Sequence, residues 1–148
     1  MPAVPLPHAV AGAIVRHARD ELPNEACGLV IGTAHAADGG VAVRYVPCRN
    51  AAASPSRYLV HRDDLLAVLA ELDRTGQELW GVVHSHVRTA AVPSPTDIAE
   101  AAWPAAVYLL ATLAEHPVEV RLRAWRIADG AARELQLAVE DDPDEGAV

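Results

Sequence analysis

The 148-residue chain contains no lysine and no phenylalanine, and it has only two cysteines. Two cysteines cannot build the disulfide framework of a small secreted domain. Neither Cys27 nor Cys48 has a second cysteine two residues away, as a zinc knuckle would require. Both lie in apolar surroundings, so the sequence predicts two buried, reduced thiols, with a nucleophilic thiol at Cys27 as the alternative.

Positive charge is scarce as well, because 12 basic residues, all of them arginine, stand against 20 acidic ones. The resulting net charge of −8 argues against nucleic acid as a partner, since phosphate binding needs a basic surface. Four acidic residues lie within the last eight positions. We therefore expect a single folded domain over residues 1–140, followed by a solvated acidic tail over 141–148.

Long hydrophobic runs are also missing, although apolar residues make up 51% of the chain. No segment stays apolar over the ~20 residues that a membrane-spanning helix needs, and prolines interrupt the apolar start, which lacks the basic region of a signal peptide. The composition therefore predicts a cytoplasmic protein with a continuous core and no membrane partner. It does not fix the oligomeric state, and a homodimer is an open alternative.

The spacing of apolar residues predicts an α+β domain. Helical periodicity indicates helices over about residues 7–21, 63–75 and 94–102. Strands are expected at 27–32, 41–48, 79–86, 107–114, 118–127 and 133–139, and the first two of them should form a hairpin. This order of elements is typical of a mixed, mainly antiparallel sheet flanked by helices.

The segment from His84 to Asp97 shows the clearest chemical pattern in the sequence. Residues i and i+2 of a strand point to the same face, so His84 and His86 present both imidazoles to one point. A loop and a helix start could bring Asp97 to the same point as a carboxylate ligand. Two nitrogens and one oxygen leave a fourth position for water, which is the open arrangement of a catalytic zinc site.

Each of these residues also has a simpler interpretation. A His-x-His pair on a strand can be two half-exposed polar positions. Ser94 and Asp97 can form a capping box with Pro95 at the first helical position. That interpretation is compatible with a ligand role, because a capped helix start would fix a ligand in its first turn. Glu25, taken alone, can be a surface charge between a helix and a strand.

The complete pattern, H-x-H-x7-S-x2-D, resembles the signature of the JAMM (MPN+) metalloproteases, and the E-x-C-G-L segment that begins at Glu25 is similar to the family's upstream glutamate segment. The resemblance extends to about residue 140 and implies a cytidine-deaminase-like α+β fold. It implies one zinc ion per chain, held by His84, His86 and Asp97. It further implies that Glu25 is the general base and that Ser94 stabilises the developing oxyanion.

Among JAMM proteins, the chain is most similar to small bacterial peptidases that act on ubiquitin-like sulfur carriers. This resemblance implies hydrolysis after the C-terminal diglycine of such a carrier, with release of cysteine from a carrier–cysteine adduct. Asn50 and the segment 54–58 are similar to the family's connection before the second helix. Val87 replaces the proline of many members, which leaves the shape of the loop 87–93 open. The candidate substrate contacts are Ser56, Tyr58 and Arg88.

Other classes remain as alternatives. A non-catalytic MPN scaffold that serves as an interaction module is the main one, although such relatives typically lack a metal ligand and none is missing here. A JAMM isopeptidase that acts on other ubiquitin-like conjugates is a second. A metallo-β-lactamase would need Asp and His where the chain has Arg88 and Thr89, and a zinc deaminase would need another cysteine shortly after Cys48.

Overall fold

The computed structural model describes residues 3–141, so the tail expected at 141–148 lies, except for its first residue, outside the described residues. Within this range the chain forms three α-helices, α1 (His8–Asp20), α2 (Arg62–Thr75) and α3 (Pro95–Glu100). The strands are β1 (Val4–Leu6), β2 (Cys27–Gly32), β3 (Ala42–Cys48), β4 (Glu78–His86), β5 (Val107–Thr112), β6 (Arg121–Ala128), β7 (Ala131–Leu135) and β8 (Leu137–Val139). Between residues 3 and 141, no helix is long and apolar enough to cross a membrane.

The main sheet has six strands in the order β3-β2-β4-β5-β6-β7, and β1 and β8 form a separate two-stranded sheet. Neighbours in the main sheet are antiparallel, except that β4 and β5 are parallel and are connected through α3. The predicted hairpin of β2 and β3 is present. This mixed, mainly antiparallel sheet with flanking helices confirms the predicted α+β class.

Both faces of the central strands are covered. On one face, Ile14 of α1 packs in a core that includes Trp80 and Leu109. On the other face, Val68 of α2 packs in a second core that includes Leu29 and Val82. Because both faces are covered, every residue of β2 and β5 is buried, which explains why these strands are continuous apolar runs in the sequence.

The two ends of the chain differ from the prediction. The single strand expected over 133–139 is divided, because β7 continues the main sheet whereas β8 pairs in parallel with β1. The proline-rich start gives no strand signal, yet Pro5 lies opposite Ala138 in this small sheet. Proline is tolerated there because both strands of a two-stranded sheet are edges. Strand β6 begins at Arg121, later than expected.

The glycine in the E-x-C-G-L segment has a packing role. A Cβ atom at Gly28 would lie 2.3 Å from the hydroxyl of Tyr45 on the neighbouring strand β3. That hydroxyl shares a 2.7 Å hydrogen bond with Nδ1 of His17 on α1. The absence of a side chain at residue 28 therefore allows the tyrosine to bridge β2 and α1.

Candidate metal centre

The two histidines lie at the end of β4, between β2 and β5 in the middle of the sheet. Their side chains point to the same face, as the alternation of the strand predicts, and the two Nε2 atoms are 3.1 Å apart. His84 is 0% and His86 is 6% exposed. The alternative that they are half-exposed polar positions is therefore wrong.

Asp97 reaches the same point from the first turn of α3. Its backbone N–H donates to Ser94 Oγ at 3.0 Å, and the Ser94 N–H donates to Asp97 Oδ2 at 2.9 Å, so the capping box is present. The same Oδ2 lies 3.1 Å from Nε2 of His84 and 3.1 Å from Nε2 of His86. The capping box and the convergence on the histidines thus occur together.

These three atoms form a triangle whose sides are all 3.1 Å. Ligands of a tetrahedral zinc ion with bonds of about 2.0–2.1 Å lie about 3.3 Å from one another, which is close to this spacing. Nδ1 of His86 is 2.7 Å from the Ala90 carbonyl, which can only accept, so Nδ1 carries a proton and the neutral ring keeps its lone pair on Nε2. Electron-rich atoms therefore converge on one point, and the residues fit a cation.

The electrostatics of the three groups agree with this assignment. Burial lowers the pKa of His84 and keeps the ring neutral, which is the form that binds a metal. Burial alone would lower the pKa of His86, but its contacts with Asp97 and the Ala90 carbonyl raise it. Because Nδ1 already carries a proton, a second proton and a metal would compete for Nε2. Burial alone would raise the pKa of Asp97, but hydrogen bonds with both histidines and Ser94 hold it well below its usual range.

Glu25 lies beside the triangle and is only 4% exposed, so the alternative of a surface charge is wrong. One carboxylate oxygen of Glu25 and one nitrogen of each histidine all lie within 4.8 Å of one another. Burial raises the pKa of Glu25 to about 7; the His86 charge opposes this rise, and the Asp97 charge adds to it. Glu25 therefore stands next to the ligand atoms without belonging to the tighter 3.1 Å triangle.

The segment around Glu25 is fixed by its backbone. Ala26 exchanges two hydrogen bonds with Ser85, the residue between the two histidines: Ala26 N–H donates to Ser85 Oγ at 2.8 Å, and Ser85 N–H donates to the Ala26 carbonyl at 2.9 Å. On the other side, Glu25 N–H donates to the Ser54 carbonyl at 2.9 Å. The sequence motif contains Ser85 but gives no sign of this role, because its partner is 59 residues away.

The loop 87–93, whose shape the sequence leaves open, is tied to distant strands. The indole N–H of Trp125 on β6 donates to the Ala91 carbonyl at 3.0 Å, and the Ala91 N–H donates to Glu115 Oε1 at 3.1 Å. The hydroxyl of Thr112 on β5 donates to the Thr89 carbonyl. These contacts place the Ala90 carbonyl that orients the second histidine. No local pattern in the sequence indicates these partners.

The remaining candidate residues lie in different environments, and of these Ser94 and Tyr58 contact the triangle. The Ser94 hydroxyl accepts from Asp97, so its own hydrogen is free for another acceptor. The Tyr58 ring is half-buried and stacks on His84, with centroids 4.1 Å apart and planes 15° apart. Ser56 and Arg88 are both exposed.

The two cysteines are free and buried, as predicted. Burial raises the pKa of the Cys27 thiol to about 12 and that of the Cys48 thiol to about 11. A thiol with so high a pKa contains almost no thiolate at neutral pH, and thiolate is the nucleophilic form. The raised pKa values therefore argue against the alternative of a nucleophilic thiol at Cys27.

The chain belongs to the Prok-JAB family, the prokaryotic homologs of the JAB domain, whose family model matches residues 7–128. This confirms the resemblance found in the sequence. Among the relatives that match over most of their length are a peptidase and a desampylase. The chain is 35% identical over 130 residues to the CysO-cysteine peptidase of Mycobacterium tuberculosis, covering 88% of this chain and 86% of that protein. It is also 31% identical over 133 residues to the desampylase of Haloferax volcanii, and this match covers 86% of this chain and 90% of that protein.

The fold is found in solved structures as well. The crystal structure of a JAB1/MPN domain protein from Archaeoglobus fulgidus matches with a TM-score of 0.58 and covers 95% of this chain and 100% of that one. The sequence identity in that pair is 14%, so the likeness concerns the fold alone.

Proposed function

We propose that this protein is a zinc-dependent peptidase that hydrolyses the bond after the C-terminal diglycine of a ubiquitin-like sulfur-carrier protein, releasing cysteine from a carrier–cysteine adduct. The observation that carries the proposal is the 3.1 Å triangle of His84, His86 and Asp97 beside the buried Glu25. The likeness to a CysO-cysteine peptidase over 88% of the chain supports this choice of substrate.

In this proposal, His84, His86 and Asp97 hold one zinc ion per chain, and the fourth position stays open. Two imidazole nitrogens and one carboxylate oxygen are ligands that zinc accepts in catalytic sites. Glu25 is kept outside the ligand set, because its oxygen is less closely grouped with the histidines than Asp97 Oδ2 is. A zinc ion bound here would supply a Lewis acid for the scissile carbonyl and lower the pKa of a coordinated water to about 7.

The protein's own residues would then carry the proton and the developing charge. The Glu25 carboxylate accepts a proton from the attacking water and passes it to the leaving amine nitrogen. The free hydrogen of the Ser94 hydroxyl donates to the oxyanion that forms on the glycine carbonyl. The capping box holds that hydroxyl in place, because its oxygen already accepts from the Asp97 N–H.

A cleft beside the centre offers a place for the carrier tail. An apolar cavity of about 360 Å³ lies on the same face of the sheet as His84, and its lining includes Tyr58, Val60 and Trp103. An ion pair between Arg57 and Glu100, with an N–O distance of 3.1 Å, joins two sides of this cleft. An extended tail could lie along it, with glycines at the crowded scissile bond and with Ser56, Tyr58 and Arg88 near its path.

The physiological setting follows from the same proposal. The partner is a ubiquitin-like sulfur carrier that ends in Gly-Gly, and the two free thiols suit a reducing compartment such as the cytoplasm. The homodimer considered for the sequence stays a prediction.

Metal content and cleavage test the proposal together. The purified protein is analysed for zinc and incubated with a diglycine-ended carrier that bears a C-terminal cysteine, with and without a chelator, and cysteine release is followed by mass spectrometry. We expect one zinc per chain and chelator-sensitive release. A carrier with Ala in place of the last glycine is the matched control and should be cleaved more slowly.

Each alternative gives a different result. An interaction module would bind the carrier without cleaving it, whatever the metal content. Cleavage of a lysine-linked conjugate in preference to the cysteine adduct would favour the alternative of an isopeptidase that acts on other ubiquitin-like conjugates. Absence of zinc under metal-replete conditions would refute the assigned ligand set.

A further inference from the structure

Asn50, in the connection between β3 and α2, uses the whole hydrogen-bonding capacity of its side-chain amide. Its Nδ2 donates to the carbonyls of Glu25 and Arg57, both at 3.0 Å. Its Oδ1 accepts from the N–H groups of Ala52 and Leu59, both at 3.0 Å. An amide has two N–H hydrogens and two lone pairs, so no capacity is left for a substrate.

The partners of this amide lie next to two of the groups that approach His84 from outside β4, Glu25 and Tyr58. One partner is the carbonyl of Glu25 itself. Two others, Arg57 and Leu59, flank Tyr58, whose ring stacks on the His84 imidazole at 4.1 Å. A single side chain thus connects the buried carboxylate to the loop that covers the first histidine.

We propose that Asn50 is a positioning residue of the metal centre. Its amide holds Glu25 and the ring of Tyr58 in their places against His84. The proposal rests on the proposed function only for the role of Glu25 in proton transfer. Asn50 acts through other residues and touches neither the substrate nor the ligand atoms. The 2.9 Å hydrogen bond from Glu25 N–H to the Ser54 carbonyl strengthens the connection, because it attaches Glu25 to the same loop.

Only asparagine satisfies all four partners. Aspartate has the same shape but no N–H hydrogens, so one of its oxygens would face the two carbonyl oxygens of Glu25 and Arg57 at about the present 3.0 Å. Alanine would leave two carbonyls and two N–H groups without their partner. Asn50→Asp is therefore the sharpest perturbation, and Asn50→Ala is the milder one that adds no charge.

The matched control is Asn24→Asp, which makes the same chemical change one residue from Glu25. We expect Asn50→Asp to lower kcat roughly 10- to 100-fold with little change in KM, since displacement of a catalytic group by about 1 Å has an effect of that size. The zinc content should stay at one per chain, and the cobalt-substituted protein should keep its absorption spectrum. Asn24→Asp should keep the kcat of the wild type.

The Glu25→Gln background distinguishes positioning from general structural damage. If Asn50 acts through Glu25, Asn50→Asp should lower the residual kcat of Glu25→Gln by a much smaller factor than it lowers that of the wild type. An equal factor in both backgrounds, or an unchanged kcat in the wild-type background, would overturn the proposal. If Asn50→Asp does not fold, the same comparison is made with Asn50→Ala.

Amide hydrogen exchange tests the positioning role of Asn50 without any substrate. The Glu25 N–H, which bonds to the Ser54 carbonyl rather than to Asn50, should exchange faster in Asn50→Asp, while Leu109 in the central strand β5 should keep its protection. Unchanged exchange at Glu25 would refute the positioning role even if the carrier is cleaved. Failure of the wild type to cleave any carrier would refute the proposed function instead, and hydrogen exchange would still decide the role of Asn50.

Discussion

The proposed zinc ion should stabilise the folded protein strongly, because the atoms assigned as its ligands already stand close to the positions they would take when bound. The sides of the triangle are 3.1 Å, and those of a tetrahedral zinc site are about 3.3 Å. Reaching that size moves each of the three atoms outward by only about 0.1 Å. Little movement of these three atoms is then needed for zinc to bind. The perturbation is removal of the metal with a chelator, followed by return of free zinc at a buffered concentration.

The size of the effect follows from linkage. A ligand that binds only the folded state at one hundred times its Kd stabilises that state by about 2.7 kcal/mol. For a domain of this length, with about 3–4 °C of Tm per kcal/mol, the expected rise in Tm is roughly 8–11 °C. Differential scanning calorimetry of the apo and zinc-loaded protein measures it, and the rise should grow with the logarithm of the free zinc concentration.

Two variants make this prediction specific to the assigned ligands. Asp97→Ala should lose most of the zinc-dependent rise, because it removes one of the three atoms assigned as ligands. Glu25→Gln should keep the rise, because Glu25 is not assigned as a ligand. A wild type without a zinc-dependent rise, or an Asp97→Ala variant with the full rise, would refute the reasoning.

Three further predictions concern Glu25 as the proposed general base, the packing glycine and the thiols. Glu25→Gln should lower kcat by about 10²–10⁴ while keeping the zinc, measured by cleavage kinetics and metal analysis; unaltered kcat would remove Glu25 as the base. Gly28→Ala should lower the free energy of unfolding by about 1–3 kcal/mol in urea titrations, because its Cβ would lie 2.3 Å from the Tyr45 hydroxyl, whereas Gly12→Ala, where nothing lies within 4 Å, should stabilise α1 by about 0.5–1 kcal/mol. At pH 8, Cys27 and Cys48 should react with a thiol reagent only after denaturation, since burial raises the pKa of both; rapid labelling of the native protein would contradict their burial.

The parts of the site that the sequence predicts depend on local rules. Strand alternation places His84 and His86 on one face, and the capping box fixes Asp97 in the first turn of a helix. Strand alternation and the capping box each act within a few residues, so the spacing of the motif is enough to predict both. The class of fold follows for the same reason, since β2, β4 and β5 are marked by their own apolar patterns.

The parts that the sequence does not predict depend on contacts between distant segments. Glu25 has no local sign of burial, because its backbone is held by Asn50, 25 residues away, and by Ser54. The short strand β1 exists only because β8 returns to pair with it. In both cases the partner is fixed by the complete fold, and the periodicity of one segment carries no information about it.

The loop 87–93 offers a last prediction about such a distant contact. The indole of Trp125 holds the Ala91 carbonyl at 3.0 Å, and the preceding carbonyl, that of Ala90, orients the His86 imidazole. Outer contacts of metal ligands typically change metal affinity 10- to 100-fold, so Trp125→Phe should weaken zinc binding by about 10-fold. Trp80→Phe removes the same kind of bond, from an indole N–H to the Gly40 carbonyl at 3.0 Å, away from the site. Competition with a chelating dye measures both affinities, and equal losses would show that the effect comes from general loosening of the core rather than from the orientation of His86.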